Sequence, residues 1–298
     1  MSKTLLIYER AVAVNKARHG KWGVTVGNDF SFAKNVNSMP LLAQEFRDTV
    51  GQYPIVFAGG EDQIMPAVLL GFGENENLFV DEAGKWHSTY IPAFARRYPY
   101  VFSSNDQGET LTLCIDEEYS GVNQDGEGER LFTDDGEQTP YLKSVLEFQT
   151  EFQRNFLRTQ TFCKRLQELN LLDSMQAELK FGSGEQKSIG GFKVVNRERL
   201  KQVSAEKLSE LAMVDELELI YLHLQSMLNV PDLASRMKQP AGDIAGGDGE
   251  AVATKKSTKP ATRKKQAGSS VKAGSTSKKK SASKKKAAAA KPGNKLKE

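Results

Sequence analysis

The most chemically loaded stretch of the chain runs from Trp86 to Phe102. It packs six aromatic residues, two prolines and the adjacent pair Arg96-Arg97 into 17 positions. Aromatic rings beside arginine make a contact surface of low conformational entropy, the composition enriched at binding hot spots. Pro92 and Pro99 bracket a one-turn helix or tight corner that would fix the directions of both guanidinium groups. An arginine so held can take a carboxylate bidentately. Trp86, Tyr90, Arg96, Arg97 and Tyr98 are therefore the candidate binding residues. The competing reading is a core corner, with the rings buried, one arginine paired to an internal acid and the other solvated.

Other chemistry is scarce. The three histidines, His19, His87 and His223, share no metal-ligand spacing, and there is no HExxH, H-x-D or CxxC. His223 reads as a packed or surface residue of an apolar helix. Gly71-Phe72-Gly73 lacks the third glycine and lysine of a phosphate cradle and reads as a turn. No G-x-S-x-G elbow occurs. Asn123, Asp125, Glu127, Gly128 and Asp134 fall in a calcium-loop-like register, but Asp closes it and Arg130 takes the apolar position. That stretch reads as a solvated acidic loop between strands, with weak divalent binding as the alternative. No catalytic residue, metal site or cofactor is assigned.

The elements that must position the corner follow from hydrophobic period. The fold class is α+β, a β-rich N-terminal half packed with C-terminal helices. Short β-like runs occur at Leu5–Tyr8, Trp22–Val26, Ile55–Phe57, Ala67–Leu70, Leu78–Val80, Tyr100–Phe102 and Leu111–Ile115. Asp81-Glu82-Ala83-Gly84 predicts a hairpin turn with Gly at a positive-φ position. Pro40 predicts the first position of a helix carrying Leu42, Phe46 and Val50 on one face and stopped by Gly51. Thr139-Pro140 opens a long helix with an apolar stripe through Val145, Phe148, Phe152, Phe156, Cys163 and Leu166. An irregular hairpin is expected over residues 180–196. Ser204 starts a short helix, Asp215 with Glu218 predicts a capping box for the next, and Pro231 is expected to end it.

Charge divides the chain more sharply than its net value of +3 suggests. Residues 251–298 hold sixteen basic residues and one acid, a charge of +15; residues 1–250 carry −12. The domain reading is a body over 1–238, a Gly-rich linker over 239–253 and a basic tail over 254–298. The tail has almost no apolar residue to offset its ordering entropy and is expected to be disordered. Its lysine clusters, Lys278, Lys279 and Lys280 with Lys284, Lys285 and Lys286, suit polyanion binding by counterion release, nucleic acid included. No aromatic residue is there to stack on bases. A solubilising tail, or one folded back on the acidic body, is the plainer reading.

No run of 18 apolar residues is present, which excludes a transmembrane helix. Arg10 and Glu9 interrupt the apolar N-terminus, so no secretory signal is read. With Cys114 and Cys163 the only cysteines, the expected location is the cytoplasm with reduced thiols, peripheral envelope association remaining open.

The chain resembles the SapC family of bacterial proteins. The stretches that carry the resemblance are Leu41–Phe57, Ala67–Phe79, Trp86–Phe102, Leu131-Phe132 with Asp135-Gly136, and Gly191 through Asn229. They cover about residues 1–237, the run from Tyr90 to Tyr100 being the most specific, and leave the tail outside. The resemblance implies association with paracrystalline surface layers and assigns no catalytic residue. The same name is used for a peptide-transporter permease, a reading that the lack of membrane spans rejects. The expectation is a non-enzymatic accessory protein of the cell surface or envelope, binding a protein or peptide through the corner, with the tail tethering it to a polyanion. Two alternatives stand beside it. One is an enzyme whose Arg96 or Arg97 holds an anionic substrate near Glu61, Asp62 or His87. The other is a non-specific nucleic-acid-binding protein driven by the tail.

Overall fold

The computed structural model describes residues 6–60, 63–104, 110–180, 186–237 and 251–252. The strands are β1 (Ala11–Ala13), β2 (Gly23–Val24), β3 (Ser38–Pro40), β4 (Ile55–Ala58), β5 (Met65–Leu69), β6 (Tyr100–Ser104), β7 (Leu111–Asp116), β8 (Val122–Asn123), β9 (Glu129–Arg130), β10 (Leu172–Lys180), β11 (Gln186–Val195) and β12 (Ala251–Val252). The helices are α1 (Lys16–His19), α2 (Phe46–Thr49), α3 (Ala93–Arg96), α4 (Pro140–Glu168), α5 (Arg197–Leu200), α6 (Ala205–Met213), α7 (Glu216–Ser226) and α8 (Val230–Arg236). Strands dominate the first half and helices the second, an α+β fold.

Among the described residues the strands form antiparallel sheets of order β1-β7-β6, β12-β10-β11-β4-β5-β3 and β8-β2-β9. In the six-stranded sheet Ile55, Val56 and Phe57 are all buried, so β4 is covered on both faces. Phe57 meets Phe162 of α4 and His223 of α7, with ring centroids 6.3 and 4.9 Å away. The β4–β11 pairing lasts for only two residue pairs, Phe192↔Ala58 and Lys193↔Phe57. Beyond it α7 serves the freed amides: Ile55 N donates to Ser226 Oγ (3.0 Å) and Val195 N to His223 Nε2 (3.0 Å). Both side chains are fully buried because they complete a sheet that splays open.

Thr139 caps α4 by accepting from Leu142 N, and Pro140 occupies the first turn. The remaining elements show where local rules lose to context. Ile7 and Tyr8 are buried in a turn, and the strand forms at Ala11–Ala13 instead. Pro40 lies in β3, the sheet's edge strand, where a missing N–H breaks no ladder; the helical turns begin at Ala43. Leu78–Val80 forms no strand, only the bridge Val80↔Trp86 that closes the Asp81–Gly84 turn. The late hairpin starts at Leu172, earlier than its glycines suggest, with a bulge between Met175 and Ala177. Asp215 adopts left-handed backbone (φ 61°) and makes no side-chain cap, so the expected capping box is absent. Pro231 sits in the first turn of α8, where its ring fits, instead of ending the helical run.

Among the described residues the packing gives two hydrophobic clusters. The larger joins the six-stranded sheet to α4, α7 and α8 through Phe46, Tyr53, Phe57, Phe162 and Ile220. The smaller gathers Val24, Tyr100, Leu113, Ile115, Leu131, Phe132 and Leu142 around β2, β6 and β7. Both cysteines are free and buried. No helix among the described residues is long and apolar enough to cross a membrane. The tail from 254 lies outside the described residues, as does the linker apart from Ala251–Val252, which pairs with β10.

Candidate functional site

The corner is built on a buried carboxylate. Glu45 is 2% exposed, and its oxygens accept from Leu42 N (2.8 Å), Ala93 N (2.7 Å) and the Tyr90 hydroxyl (2.9 Å). Burial raises its pKa, and these hydrogen bonds oppose the rise. Tyr90 Oη in turn accepts from Arg96 Nη2 (3.1 Å), while Arg96 Nε donates to Ile91 O (2.9 Å). The Arg96 guanidinium also lies over the rings of Tyr90 and Phe148, at 5.4 and 5.6 Å. Arg96 is thus exposed yet fixed, with donors left for a ligand.

The neighbouring residues go elsewhere. Arg97 is 6% exposed, and its Cζ lies 4.3 and 4.5 Å from the ring centroids of Phe94 and Phe152. Burial lowers its pKa, and Tyr8 opposes that shift. The Tyr98–Pro99 peptide is cis. Tyr98 donates to Asp116 Oδ2 (3.2 Å) and stacks on Phe32 at 4.1 Å. Trp86 is buried; its Nε1 donates to Tyr53 Oη (2.9 Å) and its ring meets Phe30 edge-on at 5.6 Å.

Arg96, Arg97 and Tyr98 line a cleft of about 550 Å³. Its walls come from four separate segments: Val24 to Phe32, Ile91 to Tyr100, Tyr119, and the first turns of α4 from Tyr141 to Gln149. Val24, Tyr100, Tyr119 and Tyr141 belong to the smaller hydrophobic cluster, Phe30, Phe32, Tyr98 and Phe148 to the larger, so the cleft lies along their seam. Gln149 crosses that seam, its Nε2 donating to Arg97 O (3.3 Å) and Tyr100 O (3.1 Å).

The cleft offers recognition chemistry. Burial raises the pKa of Tyr98, Tyr100, Tyr119 and Tyr141, so all four are neutral hydroxyls at neutral pH. The lining carboxylate, Asp29, accepts from Ser31 N (2.9 Å), and Ser31 holds its pKa down. Among the described residues the lining holds no imidazole, thiol or amine. Trp86 and Tyr90 stand outside it, Trp86 supporting Phe30 and Tyr90 supporting Arg96. Phe30, Phe32, Tyr119, Tyr141 and Phe148 were not predictable site residues. Their signal was present in part: Tyr141, Val145 and Phe148 share one face of α4, which reads as core by its period.

His87 also lies outside the cleft, exposed and paired with Asp81 Oδ2 at 2.6 Å. Glu61 and Asp62 fall outside the described residues, as do Lys278–Lys280 and Lys284–Lys286. In the acidic loop Asn123 Oδ1 accepts from Glu127 N (2.9 Å), and Asp134 pairs with Arg130 (2.7 Å). These contacts occupy groups that the calcium register would turn toward an ion.

A family model described as SapC matches residues 14–233. No curated protein and no solved structure matches the chain.

Proposed function

This chain belongs to the SapC family, and on that footing we propose that it is a non-enzymatic accessory protein of the bacterial cell surface or envelope, binding a protein or peptide partner through the cleft between its two hydrophobic clusters. The basic tail, 254–298, tethers it to a polyanion. The observation that carries the reading is Arg96, held by Ile91 O and Tyr90 Oη at a cleft walled by aromatic rings. Such a guanidinium pays little entropy on binding, and the rings supply apolar area with hydroxyls at their tips. The supporting sequence feature is the concentration of aromatic residues and arginines between Trp86 and Phe102.

Panning a random-peptide display library on the full chain tests the reading. Recovered peptides should carry an aromatic or large apolar residue beside a carboxylate. Arg96→Ala and Phe148→Ala should each lower their capture at least tenfold. Equal capture by the wild type and both variants would refute the cleft as the binding site.

A further inference from the structure

Arg97 presents an unbalanced charge. Its Nε and Nη2 are buried and make no hydrogen bond. Around its guanidinium stand the rings of Phe94 and Phe152, with the Tyr8 ring at 5.7 Å and the Tyr8 hydroxyl as a polar neighbour. Aromatic faces attract a cation but return less than the hydration it loses on burial. Asp116, which acts on Tyr8 and accepts from the Tyr98 hydroxyl, is also committed to the amides of Glu9 and Arg10 (2.8 and 2.9 Å) and of Glu118. No carboxylate among the described residues forms an ion pair with Arg97.

A second donor is left over in the same place. Tyr100 is 3% exposed and its hydroxyl makes no close hydrogen bond, the Tyr141 hydroxyl being its polar neighbour. Arg97 and Tyr100 both line the cleft, with the unpaired atoms themselves just beneath its wall, so that a ligand oxygen reaches them when these side chains shift toward it. Buried polar groups are nearly always satisfied, so two donor side chains without a close partner at one cavity point to an acceptor that belongs there. A guanidinium and a neutral phenol together call for an anion with oxygen acceptors. One guanidinium balances one negative charge. The surrounding walls, Phe30, Phe32, Val145 and Phe148, suit an apolar or aromatic body.

We propose that the cleft is a carboxylate-binding site, in which Arg97 and Tyr100 receive the carboxylate of a monoanionic ligand whose aromatic or branched apolar body packs against Phe30, Phe32 and Phe148. This rests on the cleft being a binding site and narrows what it accepts. The same chemistry is presented by a free aryl-alkyl carboxylic acid and by a peptide chain ending in an aromatic residue. Arg96 at the rim then contacts the remainder of the ligand.

Calorimetric titration of the full chain with N-acetyl-L-phenylalanine and with its primary amide tests the inference. The acid should bind at least tenfold tighter than the amide. Arg97→Met, which keeps the side-chain volume among the rings, should abolish that preference. Phe148→Ala should weaken both ligands alike. Tyr100→Phe, which deletes only a donor, should weaken the acid several-fold and spare the amide, and it decides the matter should Arg97→Met fail to fold. A tripeptide ending in Phe, as acid and as amide, separates the two sources: tighter binding of the tripeptide acid than of the capped amino acid assigns a chain terminus, and equal or weaker binding a free acid. Equal affinity for acid and amide would overturn the carboxylate site while leaving the cleft a binding site. Binding of display-selected peptides without any binding of the acids would overturn it as well. Loss of both would remove the cleft reading itself.

Discussion

His223 shows how burial alone converts a residue into a pH liability. It is fully buried, accepts from Val195 N, and has its Nδ1 without a partner. Desolvation pushes its pKa down to about 4. Protonation therefore favours the unfolded chain, where an imidazole titrates near its ordinary value. Stability is intact above that value, of about 6.5, and declines as pH falls towards 4, by about 1.4 kcal/mol per pH unit. Burial lowers the pKa of His19 and adds to the loss in the same direction; Glu45, whose carboxyl burial pushes up, works against it. His223→Gln keeps an acceptor for Val195 N and removes the titration. Between pH 7.5 and pH 5 the wild type should lose about 2 kcal/mol more than the variant, read from urea unfolding at each pH. Equal losses would clear the imidazole of any part in acid sensitivity. Gly84 is a different constraint at the same scale. Its φ of +78° closes the Asp81 turn, and an added Cβ would lie 2.0 Å from Asp29 Oδ1 and 2.5 Å from Ser31 Oγ. Gly84→Ala should cost at least about 1 kcal/mol in thermal unfolding. It should also weaken peptide capture, because Asp29 and Phe30 line the cleft.

Among the elements, α7 does a job that its apolar period conceals. Its Ser226 and His223 complete the amides left where β4 and β11 part, and Asn229 just beyond it donates to Val50 O (2.7 Å) and Tyr53 O (3.0 Å). Ser226→Ala strands the Ile55 amide in the core and should cost about 1–3 kcal/mol, seen as a lowered urea midpoint at unchanged slope. A cost near zero would show that the amide finds another partner. The same contrast explains what was legible in the sequence. β4, β5, β6, β7 and the capped start of α4 are dictated locally by apolar runs, turn residues and Thr139-Pro140, and they stand where those signals put them. Pro40 and Pro231 are ambiguous by type, since a missing N–H fits a helix start or a sheet edge equally. Only the pairing of β3 with β5, and the run of turns from Met227 into α8, decides each case. Asp215 has the residue type of a cap but not the backbone, which a sequence does not reveal. Of the site, the corner is legible as a concentration of rings and arginines. The exchange of roles between exposed Arg96 and buried Arg97 is not, because it depends on Glu45 lying 51 residues before Arg96 in the chain, and on Phe152 far beyond both.

At the scale of the molecule the two proposed interactions rest on different physics. The cleft exists because two hydrophobic clusters meet without fusing, and its walls come from segments more than 100 residues apart. The polyanion binding proposed for the tail would be set instead by composition: +15 in residues 251–298, following −12 in the first 250. The body's net charge opposes a polyanion, so any such affinity would have to come from the tail and fall steeply with salt. Removing residues 254–298 should abolish the retardation of duplex DNA at 50 mM salt in a gel shift. The full chain should lose about 10³–10⁵ in affinity between 50 and 200 mM salt if six to ten phosphates are contacted, whatever the DNA sequence. The truncated chain should still take cleft-directed peptides with unchanged affinity, since none of the cleft's lining residues lies beyond Gln149. DNA binding that survives the truncation would place the polyanion site on the acidic body, which its net charge opposes. Peptide affinity that falls with the truncation would mean that the tail and the cleft bind one partner together.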